Sequence, residues 1–383
     1  MLHGDKPLYS QIIEILRGYI ERGEYVPDQQ LPTEVELAEQ FGVSRITSKR
    51  ALIELEREGL IYRRRGSGSF VKKQSVIRRN VEEQKSTSNQ IISMIIPYVA
   101  ANNMLGYIPG IAAYLESKGY YLSIHNSDWS SSQERELLQS LPKRGTSGII
   151  LYPVSTQRNL DIVHALHIND YPIVTIDQYY SILTMGSVVS DNFDGGYTAA
   201  SKLIELGHSR IAFLSTIDIQ YRSTVRDRYF GYCKALNEND ITVDIDLVFN
   251  GMPVEAEGNP LSRREFYKTL LNQMLELQVT AIQAEHDLVA FEVIKAAVEL
   301  GIRIPEQLSI VGFDNNQEYT LHADVPITTI EQDYQEIGKK AATMIVEHVE
   351  TGVPQTNRTE IPILWIPRQS TGSGQEAQNL DVE

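Results

Sequence analysis

Residues 31–71 read LPTEVELAEQFGVSRITSKRALIELEREGLIYRRRGSGSFV, and their spacing predicts helix, tight turn, helix and a basic two-stranded wing. Thr33 caps the first of these helices, and Glu36 three residues later completes a capping box. Leu37, Ala38 and Phe41 give that helix an apolar face, and Gly42 takes the left-handed conformation that ends it. Ser44 caps a second helix of about fourteen residues that Gly59 closes. At 100° per residue Ser48, Ala51, Leu52 and Leu55 share one side of it, and Ile46, Lys49, Arg50, Ile53 and Arg57 the other. A cationic outer face on the second helix suits the major groove of duplex DNA. Leu60-Ile61-Tyr62 and Ser69-Phe70-Val71 then form short strands around Arg63-Arg64-Arg65-Gly66-Ser67-Gly68, a turn whose arginines neutralise phosphates.

The run LPTE, FGVSRIT and GLIYRRRGSGSFV resembles the GntR family of winged-helix regulators over roughly residues 7–71. Of the DNA-facing positions, Arg45, Ile46, Thr47, Lys49 and Arg50 open the recognition helix. Arg65, Gly66, Ser67 and Gly68 form the wing, and Thr33 and Ser44 add backbone contacts as well as caps. A preceding helix starts near Pro7, carries Leu8, Ile12, Ile15, Leu16 and Tyr19 as its apolar stripe, and ends at Gly23.

At 383 residues the chain exceeds one such module, and 42% hydrophobic residues provide for a larger core elsewhere. The net charge of −15 is unevenly spread. Residues 1–79 hold 14 Lys/Arg against 11 Asp/Glu, whereas the remainder holds 21 against 39. A basic head on an acidic body is expected to approach DNA head first. Cys233 is the single cysteine, which excludes an intramolecular disulfide and a Cys-rich metal site. Neither a signal core nor a run of about 18 apolar residues is present, so a cytoplasmic bacterial protein without membrane contact is expected.

Polar residues 72–89 read as a linker. From residue 90 to 371, short apolar strands (IISMIIP, YYLSIHN, GIILYP, PIVTID, RIAFLS, TAIQAE, SIVGFD, EIPILWI) alternate with helices near 103–118, 194–206, 224–238, 287–300 and 334–350. Such alternation predicts an α/β body of two lobes with mostly parallel sheets, and a ligand site at the carboxyl ends of the strands. The tail, 372–383, is expected to lack structure.

Three segments, VVSDNFDGGYTAASKLIELGHSRIAFLS, RSTVRDRYFGYCKAL and TAIQAEHDLVAFEVIKAAVELGIRIPEQLSIVGFDN, resemble the effector domain of the LacI/GalR family, itself similar to periplasmic sugar-binding proteins. That resemblance implies Arg228 and Arg222 as effector-gripping arginines and Asp314 of GFDN as a ligand acceptor. His286 stands where many members carry Asn, a departure that either removes direct ligand contact there or changes its chemistry, and Asp287 remains as a helix cap. From the residues themselves, Tyr98, Trp129, Tyr152, Tyr179 and Tyr180 offer aromatic faces to a sugar or pack the lobes, and Asp128 and Asp177 offer acceptors. Trp129 and Asp128 equally fit the flank of a helix start.

A GntR-type head on a LacI-type body resembles the arabinose-responsive repressors of Gram-positive bacteria. The resemblance implies a dimeric repressor on a two-fold operator, released by a small carbohydrate, with arabinose favoured and a hexose or phosphosugar fitting the same loops. No cofactor or metal is expected. An enzyme is the rival reading, but no GxSxG elbow, Walker-A loop or GxGxxG turn is present, and GSGS at 66–69 lies in the wing. A sugar-binding protein without DNA function is opposed by the head.

Overall fold

The computed structural model describes residues 7–26, 28–57, 60–64, 68–72, 90–98, 105–253 and 259–374. It divides into two compact units, Met1–Ser88 and Asn89–Glu383. The linker expected at 72–89 lies outside the described residues except for Lys72, as do Arg65, Gly66 and Ser67 of the wing.

The smaller unit holds α1 (Leu8–Glu21), α2 (Glu34–Phe41), α3 (Arg45–Arg57) and the antiparallel pair β1 (Ile61–Arg64) and β2 (Gly68–Val71). The capping box forms as expected: the Glu36 amide donates to Thr33 Oγ1 at 3.3 Å, and the Thr33 amide to the Glu36 carboxylate at 2.7 Å. Gly42 sits at φ 64°, ψ 36°, in the left-handed region that glycine adopts without strain. Ser44 accepts the Thr47 amide at 3.2 Å. Ser48, Ala51, Leu52 and Leu55 are buried, packing with Ile12, Leu16 and Leu37. The stripe on α1 is rotated from the expected one. Ile13 and Ile20 are buried in place of Leu8, which is half exposed, while Ile15 and Tyr19 are only partly covered. The wing strands reach further into the arginines than the apolar run suggested, pairing Arg63 with Ser69 and Arg64 with Gly68.

The larger unit is two stacked repeats of one plan. In the first lobe β3 (Ile91–Ile96), α4 (Tyr107–Ser117), β4 (Tyr121–Asn126), α5 (Ser131–Ser140), β5 (Gly148–Leu151), α6 (Leu160–Ile168), β6 (Ile173–Ile176) and β7 (Ser187–Ser190) follow in order. The second lobe holds α7 (Asn192–Glu205), β8 (Ile211–Ser215), α8 (Ser223–Glu238), β9 (Val248–Asn250), α9 (Pro260–Glu276), β10 (Ala281–Ala284), α10 (Asp287–Glu299), β11 (Ser309–Asp314), the short α11 (Gln317–Thr320) and β12 (Thr328–Gln332). α12 (Tyr334–Thr351) then returns to the first lobe, where β13 (Arg358–Ile361) pairs with β7, and β14 (Ile363–Ile366) crosses again to pair with β12.

The strand orders are β13-β7-β6-β5-β3-β4 and β14-β12-β11-β10-β8-β9. All neighbours are parallel except β12 and β14. Helices cover both faces of each sheet, which explains the continuous apolar strands. The segment EIPILWI, expected to be one strand, is two strands in two different sheets. Pro362 separates them, since it has no amide to donate to a ladder. Helices α5, α6, α9 and α11 and strands β7 and β9 add to the expected elements. The tail keeps structure to Gly374: the Gly374 amide donates to the Leu206 carbonyl at 2.7 Å, and the Gly372 carbonyl faces His208 Nε2 at 3.1 Å. Among the described residues no helix is long and apolar enough to cross a membrane.

Candidate functional site

Three crossings, after β7, after β12 and after β13, join the lobes, and hydrogen bonds tie them together. The Ser190 hydroxyl donates to Gln332 Oε1, and the Asp191 amide donates to the Ile361 carbonyl at 2.9 Å. Between the facing carboxyl ends of the two sheets lies a cavity of about 440 Å³, within the range of small-molecule sites. Tyr98, Trp129, Tyr152 and Asp177 line it from the first lobe, and Arg222, Arg228, His286, Asp287 and Asp314 from the second. Asp128 and Tyr179 do not line it. Asp128 is exposed beside Trp129, Tyr179 is held elsewhere, and Tyr180 is buried in the first lobe's core.

Close helix packing fixes the key side chains. A Cβ on Gly196 of α7 would lie 2.0 Å from the Arg228 carbonyl oxygen, and one on Gly231 of α8 2.1 Å from that of Phe193. Only two glycines let α7 and α8 approach so nearly, and Arg228 sits on the contact. Its guanidinium lies 3.5 Å from the Phe313 ring centroid, Nε donates to Asn192 Oδ1 at 2.9 Å, and Nη1 donates to the Glu285 carbonyl. Nη2 faces Asp314 Oδ1 at 3.7 Å, which leaves donor capacity directed at a ligand.

The acceptors are equally built. Asp314 stands at φ 105° and Asp177 at φ 65°, a backbone cost that surrounding structure must sustain. Tyr107 donates to Asp177 Oδ1 at 2.9 Å, and Gln332 Nε2 to Asp314 Oδ1 at 2.6 Å. Tyr107 is packed edge-on against Tyr152 and Tyr334, at 6.1 and 5.0 Å between ring centroids. Burial, reinforced by Asp177, pushes the Tyr107 hydroxyl well above the usual tyrosine range, so it stays a donor. Burial also raises Asp314, against the opposing pull of Arg228. Glu285 behaves differently. Burial pushes it up, but His286 and the hydrogen bonds from Thr216 and Ser215 outweigh that and hold it below the ordinary range.

Tyr107, Tyr334, Gln332 and Glu285 were not among the expected site residues, although all line the cavity. Glu285 alone had a local signal, as the last residue of the expected strand TAIQAE, at the carboxyl end where a ligand site is expected. The helix cap expected of Asp287 belongs to His286, whose Nδ1 accepts the Val289 amide at 3.3 Å. Asp287 is buried one residue further in. Its carboxylate accepts the Thr329 hydroxyl at 2.6 Å and the Asn316 amide at 2.7 Å.

Burial, together with the charge on Asp314, raises Asp287 well above the carboxyl range. The folded chain therefore holds that proton more tightly than the unfolded chain. The associated stability is fully present below an unfolded value of about 4 and is lost as pH rises through the folded value. Asn can accept the Asn316 amide and donate to Thr329 in the same space. Asp287→Asn is thus expected to melt at a higher temperature than the natural chain at neutral pH, with the gap closing toward pH of about 4. Melting curves across that range check it, and a lower melting temperature at neutral pH would refute it.

In the smaller unit the outer face of α3 is free of core contacts. Ile46 is 80% exposed, Lys49 is exposed, and Arg50 lies over the Tyr9 ring at 4.1 Å. Glu34 receives Arg63 Nη2 at 2.7 Å and faces Arg45 Nε at 3.5 Å, linking α2 to the wing and to the start of α3. An exposed isoleucine among cations suits a groove that presents thymine methyls beside acceptors.

A model of the gntR family of bacterial regulatory proteins matches residues 8–71, and one of a periplasmic binding protein-like domain matches residues 200–371. The arabinose metabolism transcriptional repressor of Geobacillus stearothermophilus is 31% identical over 348 residues, 90% of this chain and 92% of that protein. Its namesake in Halalkalibacterium halodurans is 26% identical over 89% of each chain. The solved structure of the transcriptional regulator CelR with cellobiose superposes with a TM-score of 0.64 at 22% identity, covering 89% of this chain and all of that one. The chain belongs to the family of transcriptional repressors that join a gntR-type head to a periplasmic binding protein-like body, the family of the arabinose metabolism repressors.

Proposed function

We propose that this chain represses genes of sugar use by holding operator DNA with its head, and that a small neutral sugar bound between the lobes releases it. The observation that carries the ligand class is the cavity itself. Tyrosine and tryptophan faces suit the C–H surfaces of a sugar ring. Arg228 and Arg222 supply donors, while Asp177, Glu285 and Asp314 supply acceptors for hydroxyls. Acidic side chains outnumber the arginines on the lining, which disfavours a phosphosugar. The names of the two relatives above make L-arabinose the first candidate.

In the head, Arg45, Ile46, Thr47, Lys49 and Arg50 meet base edges and phosphates. Residues 65–68 and the caps Thr33 and Ser44 meet the backbone. The body dimerises and sets two heads on a two-fold site in the cytoplasm. Sugar closes the lobes, and that closure changes the spacing of the heads.

A thermal-shift panel of pentoses, hexoses and their phosphates tests the ligand class. At about 100 times its dissociation constant the effector adds about 2.7 kcal/mol of stability. A neutral pentose giving the largest shift is expected. A shift from phosphorylated sugars alone, or from none, would overturn the ligand assignment, and turnover of any sugar would favour an enzyme.

A further inference from the structure

Tyr179 was open to two readings, a face for a sugar or a lobe-packing residue, and the structure places it between the lobes. It lies in the loop after β6, in the first lobe, yet its partners are on α8 in the second. Its hydroxyl donates to Asp227 Oδ2 at 2.9 Å and accepts from Arg226 Nη2 at 2.9 Å. Its backbone amide donates to Ser223 Oγ at 3.1 Å. Arg358 of β13 covers its ring, with the guanidinium 4.3 Å from the centroid. Asp227 is largely buried, its side chain 17% exposed, and Arg226 Nε stands 3.4 Å from it. Every hydrogen-bonding atom of the Tyr179 side chain and amide is therefore committed across the lobes, and none of these four side chains lines the cavity.

We propose that Tyr179 and Asp227, steadied by Arg226 and Arg358, form a latch between the lobes that sets how tightly the chain holds its effector without touching it. The proposal rests on the reading of the cleft as the effector site. A contact that exists only while the lobes are apposed favours the closed arrangement by its own free energy. A ligand that binds that arrangement gains the same factor in apparent affinity. A charge-assisted hydrogen bond shielded from water is strong enough to matter on this scale. Away from the crossings, the other cross-lobe contacts among the described residues are weaker: Thr156 and Gln157 reach the exposed 220–221 backbone at 3.2 Å each, and Arg222 stands 5.1 Å over Trp129. Tyr179 and Asp227 are positioning residues in this scheme. The cavity lining stays intact when they change.

The test uses the full chain, with Tyr179→Phe, Asp227→Asn and the double variant. Hydrogen exchange of the Tyr179 amide is measured without ligand, and affinity is measured with the sugar that gives the largest shift in the panel. Faster exchange at residue 179 in both single variants is expected, with a loss of about tenfold in sugar affinity for each. The double variant is expected to bind no more weakly than either single one, because both remove one interaction. Unchanged exchange, affinities within about twofold of the natural chain, or additive losses in the double variant would each overturn the latch. If no sugar binds the natural chain, the reading of the cleft fails instead, and exchange alone decides the latch.

Discussion

Arg228→Lys is expected to weaken sugar binding by at least about 100-fold while leaving DNA binding by the head intact. Lysine keeps the positive charge beside Asp314, so the buried carboxylate is not abandoned and the fold should survive. It cannot keep the fork. Arginine reaches Asn192 Oδ1 with Nε and the Glu285 carbonyl with Nη1 while Nη2 stays turned to Asp314 and the cavity. A single ammonium serves at most one of these directions, and it lies poorly over the Phe313 ring that guanidinium stacks on. Two charge-assisted bonds to a ligand, each worth about 1.5–3 kcal/mol, account for the expected loss. Calorimetric titration with the panel sugar measures it. Affinity within about threefold of the natural chain would remove Arg228 from the site, and loss of DNA binding as well would mean that folding had failed.

The second large effect is expected in the head. Arg45 begins α3, its side chain is 70% exposed, and among the described residues its ion-pair partner is Glu34 at 3.5 Å. The first residues of a recognition helix are those that reach base edges, and a bidentate contact to guanine separates right from wrong sequence by about 1–3 kcal/mol. Arg45→Ala should therefore weaken operator binding by about 5- to 150-fold and leave non-specific binding far less changed. Gel retardation on operator and on unrelated DNA distinguishes the possibilities. Equal weakening on both, with a salt slope lower by about 1, would make Arg45 a phosphate contact instead. Arg50 is a different case, because stacking on Tyr9 holds it in place before DNA arrives.

The head was legible because its signals are local. A capping box, a left-handed glycine and a cationic helix face each depend on residues a few positions apart, and all three appear where the spacing predicts them. The wing was legible as a hairpin but not in its length, since arginines carry no strand signal of their own. The body's alternation of strands and helices was equally plain, whereas its crossings were not. Nothing short of Pro362 hints that EIPILWI serves two sheets. Helix α5, SSQERELLQS, buries only Glu134 and Leu138, so apolar periodicity has little to detect.

The site divides in the same way. Arg228, within α8, and Asp314, at the end of β11, were identifiable through the resemblance to the LacI/GalR family, and Asp177 as a carboxylate at the end of the expected strand PIVTID. Tyr107 and Tyr334 were missed because each lies at the start of an amphipathic helix, where an aromatic residue reads as core. Gln332 was missed because its strand is short and buried on both faces. Tyr179 and Asp128 lie on loops at strand ends, but position on a loop does not say which way a side chain turns. Tyr179 turns to α8.

The most direct measurement takes the full chain, a DNA fragment that it retards and the panel sugar, and determines each affinity with the other partner absent and saturating. Release of DNA by sugar requires that DNA affinity fall by some factor, on the order of 5- to 150-fold, when sugar saturates the body. Thermodynamic linkage then demands the same factor for sugar when DNA saturates the head. Matching factors are the predicted result. Sugar binding that leaves DNA affinity unchanged, with DNA likewise leaving sugar affinity unchanged, would contradict the account.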